Sequence, residues 1–286
     1  GAGRGEPVLL EVMPETSYVT VVNRTRTAES GLSSIAATRP PGTNTIVVSG
    51  TISSSDSPKV LFVSVHNPSL YGATVLREVL ESRGIHVHGG VRIDSEGSGL
   101  SNQGGRDLLS YSSPPLSVIV RQINKWSHNL SAELLLRSLG AVRYGKGSER
   151  NGVRVVEETL QQAGIVPEEI SISDGSGLSR LSIVTPMQIV DLLEFMYHHP
   201  TFPFFYDSLP VAGVDGTLAA RMVGTPAANN VKAKTGSATH ISCLSGYVRS
   251  KHGELIAFSM LTNNNPRPPS ELRGLQDRLC EWLSGR

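Results

Sequence analysis

The spacing of apolar side chains changes period several times along the chain, and each change marks an element. From Val8 to about Val65 the pattern is that of strands. Tyr18-Val-Thr-Val-Val22 and Thr45-Ile-Val-Val-Ser49 combine β-branched and aromatic residues, and Pro40-Pro-Gly-Thr-Asn44 and Ser53-Ser-Ser-Asp-Ser-Pro58 supply turn chemistry. After Asn67-Pro68 the residues Leu70, Ala73, Val75, Leu76, Val79 and Leu80 take helical spacing, and Ser82-Arg-Gly84 predicts the stop, with the glycine as cap. A short strand is expected over Val87–Ile93. Asp94–Arg106 is rich in Gly and Ser without apolar period and reads as a mobile loop or a domain crossing.

Pro114-Pro115 opens a helix through Leu116, Ile119, Val120 and Ile123, and a second carries Leu130, Leu134, Leu135 and Leu139 to a stop at Gly140. A third is predicted over 149–163, ended by Gly164, and Thr185-Pro186 starts a fourth through Ile189, Leu192, Leu193 and Met196. Pro200, Pro203 and Pro210 break the segment that follows. A strand around 231–240, a second over Cys243–Val248 and a third over Leu255–Leu261 form an antiparallel meander with a turn at Lys251-His-Gly253. A final helix built on Leu272, Leu275, Leu279 and Trp282 is expected to cover one face of that sheet. The predicted class is α+β, helices packed on an antiparallel sheet.

Composition narrows the function classes. Of 286 residues, 38% are hydrophobic and 18% charged, with a formal net charge of +1 and both signs spread along the chain. That balance gives no basis for nucleic-acid or membrane-surface binding and suits a small-molecule or peptide ligand. No apolar run approaches the ~18 residues of a membrane span, so no transmembrane segment is predicted. Two cysteines, Cys243 and Cys280, make neither a disulfide framework nor a zinc site, and the eight histidines lack ligand spacing. No metal and no cofactor are expected. The start at Gly1-Ala-Gly-Arg-Gly-Glu-Pro7 has neither an initiator Met nor a signal-peptide pattern, and reads as a processed product or an incomplete reading frame.

The richest chemistry lies in Lys234-Thr-Gly-Ser237. On a strand, Lys232, Lys234 and Gly236 share one face and Val231, Ala233 and Thr235 the other. An ammonium and a hydroxyl beside a bare backbone suit a peptide carboxylate, since a residue without Cβ lets a ligand approach closely. A solvated edge strand guarded by lysines is the plainer alternative. Lys125-Trp-Ser-His-Asn129 interrupts two apolar helices and reads as a surface turn or a set aimed into a cleft. Ser173-Asp-Gly-Ser-Gly-Leu-Ser-Arg180 is a glycine-punctuated loop without the lysine and spacing of a nucleotide-phosphate loop.

Taken in order, Ser127-His-Asn129, the Asp174–Arg180 loop and Lys234-Thr-Gly-Ser237 resemble the low-molecular-mass class C penicillin-binding proteins, the D-alanyl-D-alanine carboxypeptidase/endopeptidase family. Asn124–Arg137, Leu209-Pro-Val-Ala-Gly-Val-Asp-Gly-Thr217 and Pro40–Asn44 extend the resemblance over nearly the whole chain. The resemblance implies a serine peptidase of peptidoglycan stem peptides ending in D-Ala-D-Ala, inhibited by β-lactams and placed in the periplasm or otherwise outside the cytoplasm. It further implies catalytic roles for Ser127 in a proton relay, Asn129 on the substrate amide and Lys234 on developing negative charge. Thr235, Gly236 and Ser237 would bind substrate, with the Ser237 N–H in an oxyanion hole. Arg180 would meet the acidic end of a diaminopimelate-type stem, or else close its own loop through a salt bridge. By the same likeness, 1–60 is a β-rich inserted module, 61–115 a second inserted module of small α/β type, and 116–286 the C-terminal part of a transpeptidase-like domain.

Two departures stand against the pattern. The family nucleophile is the serine of Ser-x-x-Lys, and none of the six lysines here has a serine three positions before it; Asp56, Gln122, Arg143, Asn229, Val231 and Val248 stand there. The segment bearing that motif is expected to precede Gly1, and the rival reading is a non-catalytic protein that keeps a peptide- or β-lactam-shaped groove. A β-lactamase is weaker still, since no deacylating glutamate can be assigned. His128 stands where aspartate is common, and its imidazole can hydrogen-bond similarly while adding pH sensitivity.

Overall fold

The computed structural model describes residues 5–93 and 109–286, so the loop expected over Asp94–Arg106 lies outside the described residues. The chain divides into two units, Gly1–Leu109 and Ser110–Arg286.

In the first unit β1 (Thr20–Ala28) and β3 (Thr45–Ser53) pair in parallel, from Thr20 opposite Thr45 to Ala28 opposite Ser53. The strand β2 (Ser34–Thr38) adds antiparallel to the other edge of β3. This Ala-containing strand has little intrinsic β preference and escaped the sequence pattern; the β3 ladder supplies its partners. Gly50, at φ 117°, is required there, because a Cβ would stand 2.0 Å from the Ser34 carbonyl oxygen. The helix α1 (Pro68–Ser82) starts where predicted, with the Asn67 side chain accepting from the Leu70 N–H at 3.3 Å, and ends at Gly84 with φ 79°. The strand expected over Val87–Ile93 does not form. Gly89-Gly90 interrupts it, and no strand pairs with it among the described residues.

The second unit is built on the antiparallel meander β4 (Lys232–Ala238), β5 (Ile241–Arg249) and β6 (Leu255–Thr262). Val231, Ala233, Leu244, Val248 and Phe258 meet Ala212, Leu218, Met222 and Cys280 in the core under one face. On the other side, α5 (Pro186–His198) and α6 (Phe202–Ser208) enclose Tyr247, whose buried hydroxyl donates to the Leu193 carbonyl at 2.6 Å. The prolines thus leave room for one short helix, α6, with Pro203 in its first turn.

The helices α2 (Leu116–Trp126), α3 (Asn129–Tyr144) and α4 (Glu149–Gln162) come first in this unit. Gly140 does not stop α3, which runs on to Tyr144 and ends at Gly145. Gly140 instead lets α3 and α4 approach. A Cβ on it would lie 2.8 Å from the Gly152 nitrogen, and one on Gly152 would lie 2.1 Å from the Leu136 carbonyl oxygen. The last helix, α7 (Pro269–Ser284), covers the sheet as expected but with a face that shares only Leu272 with the predicted stripe. Leu275 and Trp282 are 59% and 51% exposed, whereas Leu272, Gln276, Cys280 and Ser284 are buried. Two of those four are polar yet bonded, Gln276 to Ser242 at 3.2 Å and Ser284 to the Cys280 carbonyl at 2.8 Å. The class is α+β. Among the described residues no helix is long and apolar enough to cross a membrane.

Candidate active site

Ser127 sits in the two-residue joint, Ser127-His128, between α2 and α3. It closes α2 in the left-handed region, at φ 54° and ψ 50°, a conformation costly for a residue with a Cβ. The next residue, His128, caps α3; its Nδ1 accepts from the Ser131 N–H at 3.3 Å and lies 2.8 Å from the Ser131 hydroxyl. Two opposed helix ends therefore leave Ser127 standing out from the backbone, exposed.

Lys234 approaches from β4, an outer strand of the meander that also bridges to Val211 through Lys232. Its ammonium donates to Ser127 Oγ at 2.8 Å and to the Thr235 carbonyl at 2.8 Å. Burial of the amine pushes its pKa down, so the charged form is held less firmly than in a free lysine. The Thr235 hydroxyl donates to that of Thr217 at 2.8 Å, which leaves one O–H of the pair for a ligand. Beyond Thr235 the strand borders a cavity of about 470 Å3. Gly236, Ser237 and Cys243 line its sheet side, and Leu178, Ser179 and Arg180 the facing loop.

That loop is held by two carboxylates. Asp174 Oδ2 accepts from the Leu178 and Ser179 N–H groups at 2.9 and 3.1 Å and from the Ser176 hydroxyl at 2.7 Å. Burial pushes the Asp174 carboxyl up, but the donors from Ser176, Ser179, Leu178 and Ser182 together outweigh it and hold it below its ordinary value. Glu133 Oε1, from α3, accepts from Gly175 and Ser176 at 3.1 and 3.0 Å. Gly175 is needed at this contact, since a Cβ would lie 2.6 Å from the Ala132 carbonyl oxygen.

Comparison with known proteins gives this arrangement a family. The profile of the D-Ala-D-Ala carboxypeptidase 3 (S13) family matches residues 2–285. The chain belongs to the S13 family. It is 36% identical to a D-alanyl-D-alanine carboxypeptidase of Actinomadura sp. (strain R39) over 98% of this chain and 53% of that protein. It is 30% identical to the D-alanyl-D-alanine carboxypeptidase DacB of Haemophilus influenzae over 77% of this chain and 46% of that protein. The crystal structure of penicillin binding protein 4 (dacB) from Haemophilus influenzae superimposes with a TM-score of 0.80 at 26% identity, covering 100% of this chain and 64% of that one. The chain thus spans about half the length of the curated relatives it matches.

Of the site residues expected in this S13 chain, Ser127 and Lys234 are in contact across 107 residues of sequence. Thr235 is adjacent, and Gly236, Ser237 and Arg180 share one cavity. Arg180 has no hydrogen-bond or ion-pair partner among the described residues; Asp174 closes the loop through backbone donors instead. Asn129, at the first position of α3, is exposed and has no side-chain hydrogen bond among the described residues. Three neighbours lie in stretches quoted for the resemblance but were given no role in the sequence reading. Thr217 meets Thr235, and Lys125 forms an ion pair with Asp215 at 2.7 Å. The available signal was a tight turn between two left-handed glycines, Gly213 at φ 69° and Gly216 at φ 56°, which brackets Asp215 and leads to Thr217.

Proposed function

We propose that this S13 chain forms the substrate and oxyanion side of a serine-type D-Ala-D-Ala carboxypeptidase site, acting outside the cytoplasm on peptidoglycan stem peptides through an acyl-enzyme. The acylated serine lies outside these 286 residues. The observation that carries the reading is the 2.8 Å contact of Lys234 Nζ with Ser127 Oγ, which joins two motifs far apart in sequence beside a cavity of peptide size. Lys234 presents charge to the terminal carboxylate of D-alanine and to the developing oxyanion, and the Ser237 N–H serves as a fixed donor to the latter. Ser127 passes a proton to the leaving amine, with the Lys234 ammonium holding its hydroxyl in place. Asn129 holds the substrate amide, and Arg180 meets the acidic end of the stem from across the groove. The segments 1–60 and 61–115 are inserted modules, the first β-rich and the second small α/β.

The test is a fluorescent penicillin. The 286-residue chain forms no covalent adduct, because no serine in it has a lysine three positions after it, as the Ser-x-x-Lys motif requires. A version carrying a Ser-x-x-Lys segment joined upstream forms one, seen as a labelled band on a denaturing gel and located by mass spectrometry of the adduct peptide. A stoichiometric adduct on the 286-residue chain itself overturns the reading and assigns the nucleophile to a serine within it.

A further inference from the structure

The αL conformation of Ser127 needs an anchor, and the surrounding contacts provide one. Two residues earlier, Lys125 is turned inward, its side chain 12% exposed. Its ammonium donates to both Asp215 oxygens at 2.8 and 2.7 Å and to the Leu209 carbonyl at 2.6 Å, which uses all three of its protons. Asp215 in turn accepts from the Val211 N–H at 2.9 Å. One residue before Lys125, the Asn124 amide donates at 2.6 Å to the hydroxyl of the fully buried Ser208. The last turn of α2 is thereby tied at two points to the segment 208–215.

The same segment runs directly to the other half of the site. After Asp215 comes Gly216, packed so tightly that a Cβ would stand 2.5 Å from the Lys125 carbonyl oxygen. Thr217 follows and meets the Thr235 hydroxyl. Ser127 and Thr217 thus each stand two residues beyond one member of a single ion pair. We propose that Lys125 and Asp215 are positioning residues, a clamp that sets the Ser127 hydroxyl against the Lys234 ammonium and the Thr217 hydroxyl against Thr235. The assignment rests on Ser127 and Lys234 forming the site, and it places neither Lys125 nor Asp215 in contact with substrate. A lysine so fully coordinated is a tether and not a base.

The test reads the site without substrate. In the 286-residue chain with isotopically labelled lysine, the titration of the Lys234 ammonium is followed by NMR, together with hydrogen exchange at the Ser127 and His128 amides. Lys125→Met and Asp215→Asn each release the joint. The Lys234 midpoint then moves up toward that of a free lysine as water reaches the amine, and exchange at both amides quickens at least tenfold while amides of β5 hold their rates. Each single variant leaves a charge without its partner, and Asp215→Asn strands the mostly enclosed Lys125 ammonium and risks unfolding, so the double variant Lys125→Met/Asp215→Asn decides. It removes both charges, and a clamp predicts that the midpoint and the exchange stay displaced, whereas Lys125→Arg restores them. A double variant that titrates and exchanges like the parent overturns the proposal. That result leaves the peptidase reading standing, and a failure of penicillin labelling leaves the clamp standing.

Discussion

The Lys234 ammonium has three protons, and the structure assigns two of them, one to Ser127 Oγ and one to the Thr235 carbonyl. Among the described residues one charged donor is therefore free for a ligand. A hydrogen bond to a charged group contributes about 1.5–3 kcal/mol, and about 1.4 kcal/mol is a factor of ten, so losing it should weaken binding of a carboxylate about 10- to 150-fold. The ligand can be altered in the same way. An N-acylated D-Ala-D-Ala acid and its C-terminal amide differ only at the group Lys234 is held to meet. Calorimetric titration of the chain with both should show the acid binding more tightly by that factor. Lys234→Ala should remove the difference by weakening the acid alone. The control is Lys232→Ala, since Lys232 is already engaged with Asp207 at 2.9 Å and with the Tyr206 ring at 4.0 Å; it should leave both affinities unchanged. Equal binding of acid and amide by the parent chain, or an equal loss in the Lys232 variant, refutes the carboxylate role.

Two further outcomes follow from the scaffold. Gly152→Ala places a methyl 2.1 Å from a backbone carbonyl of α3, so the helices must separate; the expected cost is about 1–3 kcal/mol, read as a lower denaturant midpoint, and an unchanged midpoint refutes the close crossing. The Asp174 carboxyl is held below its ordinary value of 3.8, so the folded loop binds a proton more weakly than the unfolded chain. Its contribution is whole above that value and is lost as pH falls through the lower folded one. Exchange at the Leu178 and Ser179 amides, corrected for the intrinsic pH dependence, should quicken as pH falls below the ordinary value of 3.8. Asp174→Asn should show no such step, and a step that survives in this variant rules Asp174 out.

Much of the frame was legible in sequence because caps and periodicity are local signals. Thr185-Pro186 gave the start of α5, where a full capping box forms with Gln188, and alternating Val231 and Ala233 gave the buried face of β4. The failures share a cause, since tertiary neighbours decided each. Gly140 reads as a helix stop until Gly152 is seen against it. The α7 stripe was chosen by hydrophobicity, and of it only Leu272 is buried; beside it the helix buries Gln276, Cys280 and Ser284, of which the two polar side chains are hydrogen-bonded. In the site, strand chemistry pointed to Lys234 and the family resemblance to Ser127, whereas Lys125 and Asp215, inside stretches quoted for that resemblance, were given no role. Their pairing exists only once α2 and the 209–217 segment are side by side.

The contact between Ser127 and Lys234 closes a loop of 107 residues, and polymer statistics make that number soft. Closure entropy grows only with the logarithm of loop length, and each doubling costs about 0.6 kcal/mol. Lengthening the surface connections between the two motifs would thus tax their meeting by less than one ordinary hydrogen bond. The left-handed joint at Ser127 and the outer edge of β4 have no such latitude. Descent with insertion can therefore stretch the interval between these motifs freely while their order and local geometry stay rigid, so a shared spacing is a weaker mark of kinship than a shared joint.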